Sequence, residues 1–151
     1  MGDPRIAAAR DNFGRGCNCA QAVLCAFGPG LGLDEPNCRR LTAAFGGGIA
    51  QRGETCGAVV GALLTLGLAE AGRGGAGESA AAFLERFSAA HGDLRCRELL
   101  GEDISTTEGL ARAYESGAFL EVCPRLVAGA AELLVELLET DKGNRTPGGT
   151  D

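Results

Sequence analysis

The chain is short of most features that announce a function. It has one histidine, His91, and no C-x-x-C pair anywhere, so covalent c-type haem attachment is excluded, and so is the tight turn on which structural zinc sites are usually built. Basic clusters are missing too. The longest is Arg39-Arg40 and the net charge is −6, which argues against nucleic acid or an anionic membrane as partner. No apolar run approaches the roughly 20 residues that a membrane-spanning helix needs. The nearest, from Cys56 to Ala69, is bounded by Glu54 and Glu70 and reads as a buried core helix. Residues Met1 to Phe13 carry Asp3, Arg5, Arg10 and Asp11 where a signal peptide would be apolar, so a short amphipathic helix and a cytoplasmic location are expected. Strand signals are nearly absent, no repeat stands out, and no carboxylate pair is spaced for acid–base catalysis. The loop from Gly48 to Thr55 approaches a phosphate-binding motif, but Glu54 occupies the lysine position and opposes nucleotide binding.

What the chain has is helical periodicity. Ile6, Ala9 and Phe13 share a face, as do Cys38, Leu41 and Phe45 after a start near Asp34, and Phe83, Phe87 and Ala90 later on. Ser105 with Glu108 makes a capping box ahead of Leu110 and Tyr114, and the last helix sets Leu126, Ala130, Leu133 and Leu137 against Glu132, Glu136 and Glu139. Turns fall at Pro29-Gly30, Gly46 to Gly48 and Gly72 to Gly75. The expectation is one all-α domain over residues 1–140, a compact multi-helix bundle around a central Ala/Gly-rich helix. Residues 141–151 are expected to form a disordered tail. At 151 residues the chain buries a core without needing disulfides or metal to fold.

It also has seven cysteines, an odd number that does not suit a disulfide framework in a reducing compartment. Four are expected to open helices. Asn18 and Gln21 frame a capping box around Cys19, Thr55 caps for Cys56, Asp93 for Cys96, and Pro124 suits the first helical position after Cys123. A helix N-terminus carries partial positive charge and unpaired N–H groups, which favour the thiolate that metals and nucleophilic chemistry require. Glu54 is expected to raise the Cys56 thiol pKa, and Arg15 to assist Cys19.

Brought together, four thiolates match the ligand set of a [2Fe-2S] or [4Fe-4S] cluster, or of tetrahedral zinc. Without metal, two of them make a dithiol–disulfide couple, with Cys19 and Cys56 as the pair to test first. Cys25 and Cys38 read as core residues, while Cys17, beside Cys19, is an auxiliary ligand or resolving thiol. Gly46, Gly47, Gly48 and Gly57 are further auxiliaries, whose backbone is able to approach a bound group, against a plain role as turns. Tyr114 is explained by packing with Leu110, the phenylalanines by the core, and His91 as a side chain complementing its helix end.

Five segments taken in order resemble a known family. They are Asn18-Cys19-Ala20-Gln21-Ala22-Val23-Leu24, Phe45 to Gly48, Cys56-Gly57-Ala58-Val59-Val60-Gly61, Cys96 with Glu98 to Gly101, and Cys123. The family is the redox-active one named for its pattern C, GCAxxG, C, C, and the resemblance spans roughly residues 10 to 138. The chain departs from it at one point, with Cys56-Gly57-Ala58 where the name has Gly-Cys-Ala. Related domains occur in split-Soret cytochromes c, where such a helical domain is suggested to hold an iron–sulfur centre. The resemblance implies a redox role for Cys19, Cys56, Cys96 and Cys123, and it puts an iron–sulfur cluster ahead of zinc. A redox partner protein or small molecule is the expected partner, with a homodimer as a further expectation. No catalytic acid or base is named.

Overall fold

The computed structural model describes residues 2–70 and 75–143, and among these eight α-helices and one short 3-10 turn make up the fold. Helix α1 spans Pro4–Gly14, with Pro4 in the first turn and the Asp3 carboxylate accepting from the Arg5 N–H at 2.9 Å. Helix α2 spans Cys19–Phe27. Its capping box forms as read from the sequence, Asn18 accepting from the Gln21 N–H at 2.8 Å and Gln21 accepting from the Asn18 N–H at 3.0 Å. After the 3-10 turn at Pro29–Leu31, Asp34 caps α3, Glu35–Leu41. The chain continues through α4 (Gly57–Ala69), α5 (Ala76–His91), α6 (Cys96–Leu100), α7 (Thr107–Glu115) and α8 (Ala118–Gly143). The only β-type pairing among the described residues is a single antiparallel bridge between Thr55 and Arg95.

Several boundaries differ from expectation for identifiable reasons. The cap of α7 is Thr106 rather than its neighbour Ser105, because the Thr106 hydroxyl is the one aligned to accept from the Gly109 N–H, at 3.0 Å. Ser105 instead closes a turn with the Asp103 carboxylate. Helix α8 continues to Gly143, past the expected start of a tail, and residues 144–151 lie outside the described residues, as does most of the glycine-rich turn at 71–74.

Helix α4 is central, packed against α2, α5 and α8. Ala58, Val59, Ala62 and Leu66 are fully buried, while Leu64 and Gly67 reach solvent, so even the outer side of this helix is apolar. Two of its three glycines have a packing cause. A Cβ on Gly61 would lie 2.7 Å from the Ala20 carbonyl oxygen and 3.1 Å from the Val23 Cβ, and one on Gly57 would lie 2.9 Å from the Phe45 carbonyl oxygen and 3.0 Å from the Ala20 nitrogen. The backbones of α2 and α4 thus touch along a seam that no side chain fits. Gly67 is different: nothing lies within 4 Å of its would-be Cβ. Phe27, Phe83 and Phe87 complete the main core, each contributing about 1.5–3 kcal/mol by leaving water.

His91 falls in the last turn of α5, as expected, though it is not what closes the helix. Gly92, at φ +98°, closes α5 by donating its N–H to the Ser88 carbonyl at 2.8 Å. The imidazole lies on the Phe87 ring, centroids 4.4 Å apart, and against Gly129 of α8, where burial lowers its pKa. Among the described residues, no helix is long and apolar enough to cross a membrane.

Candidate functional site

The four singled-out cysteines sit on four helices, but not all at the positions expected. Cys19 is the first residue of α2. Cys56 is itself the N-cap of α4, where Thr55 was expected to cap, and the amides of Ala58 and Val59 turn toward its sulfur. Cys96 opens α6, yet Asp93 does not cap that helix: its carboxylate accepts from the Leu94 and Arg95 N–H groups, at 2.7 and 2.8 Å, closing the turn before it. Cys123 opens nothing. Helix α8 begins earlier, at Ala118 after Gly117 at φ +75°, and carries Pro124 in its interior. The positive end of a helix is therefore available to Cys19 and Cys56, scarcely to Cys96 on a five-residue helix, and not to Cys123.

Backbone pairing brings distant segments together. The Cys56 N–H donates to the Leu94 carbonyl at 2.8 Å, and the Cys96 N–H to the Glu54 carbonyl at 2.6 Å, so the Thr55–Arg95 bridge holds two cysteines side by side. Arg97 ties the same junction, its side chain donating to the carbonyls of Gly53 and Arg52 at 3.1 and 3.2 Å and pairing with Glu54 at 3.6 Å. On the other flank the Asn18 amide donates to the Thr42 and Ala43 carbonyls, anchoring the start of α2 to the loop leading into Gly46.

That loop holds five consecutive residues in the left-handed region: Gly47 at φ 61°, Gly48 at 69°, Ile49 at 65°, Ala50 at 51° and Gln51 at 60°. Left-handed helical backbone costs a non-glycine residue about 1–2 kcal/mol, and for β-branched Ile49 the conformation is an outlier. Hydrogen bonds hold it, from the N–H groups of Ala50, Gln51, Gly53 and Glu54 to the carbonyls of Ala44, Gly46, Gly47 and Gly48, at 2.8–3.1 Å. Gly48 has no alternative residue, since a Cβ would lie 2.6 Å from the Cys96 Cβ and 2.7 Å from the Glu54 nitrogen. Backbone strain of this kind concentrates at functional sites, and the composition gave no sign of it beyond the glycines.

These segments enclose one cavity of about 550 Å³. Cys19, Cys56, Cys96 and Cys123 all line it, together with Cys17, Gly46, Gly47, Gly48 and Gly57. Phe13, Leu100, Ile104, Tyr114, Phe119 and Leu126 make its apolar wall. Tyr114, which shares a helix face with Leu110 in the sequence, is exposed at the cavity and tilted against Phe119 at 4.8 Å. Cys17 is buried beside the others and accepts from the Arg39 guanidinium at 3.2 Å.

Burial outweighs the helix ends in setting the thiols. It pushes Cys56 up to about 11 despite the two facing amides, and Cys96 up to about 12 with the Cys56 and Cys123 sulfurs adding to the effect. The Cys19 and Cys123 thiols act on each other: their interaction lowers the Cys123 pKa and, together with burial, raises that of Cys19 well above its usual value. Neither Glu54, turned to Arg97, nor exposed Arg15 acts on these thiols as expected; the arginine that reaches a sulfur is Arg39.

Cys25 and Cys38 stay outside, as read from the sequence. They pack with Leu24 and Leu33 in a separate buried cluster. His91 is absent from the cavity lining. Among the described residues, no three His, Cys, Asp or Glu side chains are gathered closely enough to hold a single metal ion.

A family model described as "Putative redox-active protein (C_GCAxxG_C_C)" matches residues 17–137. Comparison with curated proteins and with solved structures gave no match.

Proposed function

The chain belongs to the redox-active family of the C, GCAxxG, C, C pattern, and from that premise we propose that it transfers electrons or senses redox state through an iron–sulfur cluster held by Cys19, Cys56, Cys96 and Cys123. The observation that carries this reading is a cavity lined by four thiols from four different helices, with Cys17 as a fifth beside them, and by no carboxylate and no imidazole. Four cysteines are the ordinary ligand set of such a cluster, which when bound takes up and releases single electrons. Zinc asks for all its sulfurs about 2.3 Å from one point, and these thiols are not so gathered. A four-iron centre, with one thiolate at each iron, asks least of the arrangement.

The chain's own contribution follows from its backbone. The bridge at Thr55 and Arg95 sets Cys56 and Cys96, the capping box sets Cys19, and α8 sets Cys123. The raised thiol pKa values mean that loading releases protons, because the ligand form is the thiolate. The helix ends at Cys19 and Cys56 then favour the negative charge that the loaded site carries.

A second reading rests on the mutual influence of the Cys19 and Cys123 thiols, which shift each other in opposite directions. Without metal, this pair stands beside Cys19 with Cys56 as a candidate for thiol–disulfide exchange. Two thiols would become one disulfide while a disulfide substrate takes the two electrons and two protons and becomes two thiols. Anaerobic purification followed by iron, acid-labile sulfide and zinc analysis, with an absorption spectrum, tests both. Iron and sulfide in stoichiometric amounts are expected. Zinc alone overturns the cluster, and metal-free protein with a reversible Cys19–Cys123 disulfide selects the second reading.

A further inference from the structure

The cavity has more lining than its thiols, and that lining has a chemical bias. Cys56, Cys96 and Cys123 are buried at 3%, 8% and 6% exposure, whereas Tyr114 is 66% exposed, so thiols form the floor and Tyr114 stands at the opening. Apart from the cysteines and the Tyr114 phenol, nothing that lines the cavity is ionisable: no carboxylate, guanidinium, ammonium or imidazole is present. A charged molecule held at the mouth, away from the helix ends at Cys19 and Cys56, would lose water without gaining a side chain of opposite charge. The lining includes an aromatic pair, Tyr114 tilted against Phe119, with Phe13, and it includes Gln51, exposed and held by the left-handed turn. An apolar cavity of this size with few polar groups has the character of a small-molecule site.

We infer that the mouth binds a small, uncharged, planar ring of the quinone class, lying against Tyr114 and Phe119 with a ring carbonyl toward the Gln51 amide. This rests on the proposed redox reading of the floor. The ring receives two electrons from the centre below one at a time, an external electron-donor protein re-reducing the centre after each, and takes two protons from solvent, giving the hydroquinone. Its face meets aromatic edges, where offset or tilted contacts are favourable beyond the area they bury.

The chain contains one tyrosine and no tryptophan, so Tyr114 reports on its own site. The test titrates metal-free, reduced protein with duroquinone, whose ring positions are all methylated so that no thiol adds to it. Anthraquinone-2-sulfonate serves as the anionic comparison and N-acetyl-tyrosinamide corrects for absorbed light. Saturable quenching of tyrosine emission by duroquinone is expected, with binding of the sulfonate weaker by about tenfold or more. Tyr114→Ala, followed by equilibrium dialysis because it removes the fluorophore, should weaken duroquinone about fivefold. Leu120→Ala, 82% exposed and outside the lining, should leave it unchanged. Non-saturable quenching, equal binding of the anion, or full binding by Tyr114→Ala would each overturn the inference. Because the titration uses metal-free protein, it fails independently of whether a cluster is found.

Discussion

Two sets of cysteines lie within one small bundle, and by the usual signs they look alike. Cys25 and Cys38 are buried, as are Cys56, Cys96 and Cys123. Burial pushes Cys25 up to about 12, the same as Cys96. What separates them is room. Cys38 donates to the Leu33 carbonyl at 3.3 Å and is closed over by Leu24, Cys25 and Leu33, whereas the other four face a cavity. Depth and acidity therefore do not distinguish a ligand from a space-filler, and an open volume shared by several sulfurs does.

The sharpest way to break that comparison is to remove one sulfur at a time. Cys96→Ser should abolish most bound iron and sulfide in anaerobically purified protein, while Cys25→Ser should leave both unchanged; equal loss from the two would erase the distinction. Next in size is the packing behind the cavity. Gly57→Ala and Gly61→Ala force a methyl between α2 and α4 and should each lower stability by about 1–3 kcal/mol in urea unfolding. Gly67→Ala, whose methyl enters open space, should raise stability by about 0.5–1 kcal/mol. The exchange Cys56→Gly with Gly57→Cys, which writes the family's letters in order, should be destabilising for the same reason as Gly57→Ala.

The smallest effect is a ranking of reactivity. In metal-free protein the thiolate fraction falls about tenfold for each unit by which a pKa exceeds the pH. Lowered Cys123 should therefore react with iodoacetamide first, with modification of Cys56 rising toward pH 11 and that of Cys96 and Cys25 toward pH 12. Mass spectrometry across a pH series reads the order. Early labelling of Cys96 would show that its burial does not govern it.

Local chemistry was legible in the sequence and distant pairing was not. The capping box at Asn18 and Gln21, the helix start near Asp34 and the central helix read over Cys56 to Ala69 all follow from neighbouring residues, and each forms, the last with Cys56 as its cap. Pro124 misled because proline fits a first turn so well that the helix before it went unread. Thr106 and Ser105 offer the same hydroxyl, and only the turn at Asp103 decides between them. That Cys56 and Cys96 stand together depends on an isolated bridge between segments some forty residues apart, a contact with no periodic signal. The left-handed run through Ile49 was equally hidden, because isoleucine has no preference for that backbone.

Pro124 has one more consequence. Lacking an N–H, it leaves the Leu120 carbonyl without its usual helical donor, so the segment from Ala118 to Cys123 is joined to the rest of α8 by one bond fewer than a regular helix supplies. Cys56 and Cys96 are stitched by a bridge and Cys19 by a double cap, whereas Cys123 stands next to a missing rung of its helix. The thiol lining is mechanically lopsided, three sulfurs on doubly pinned backbone and one beside a gap in the ladder.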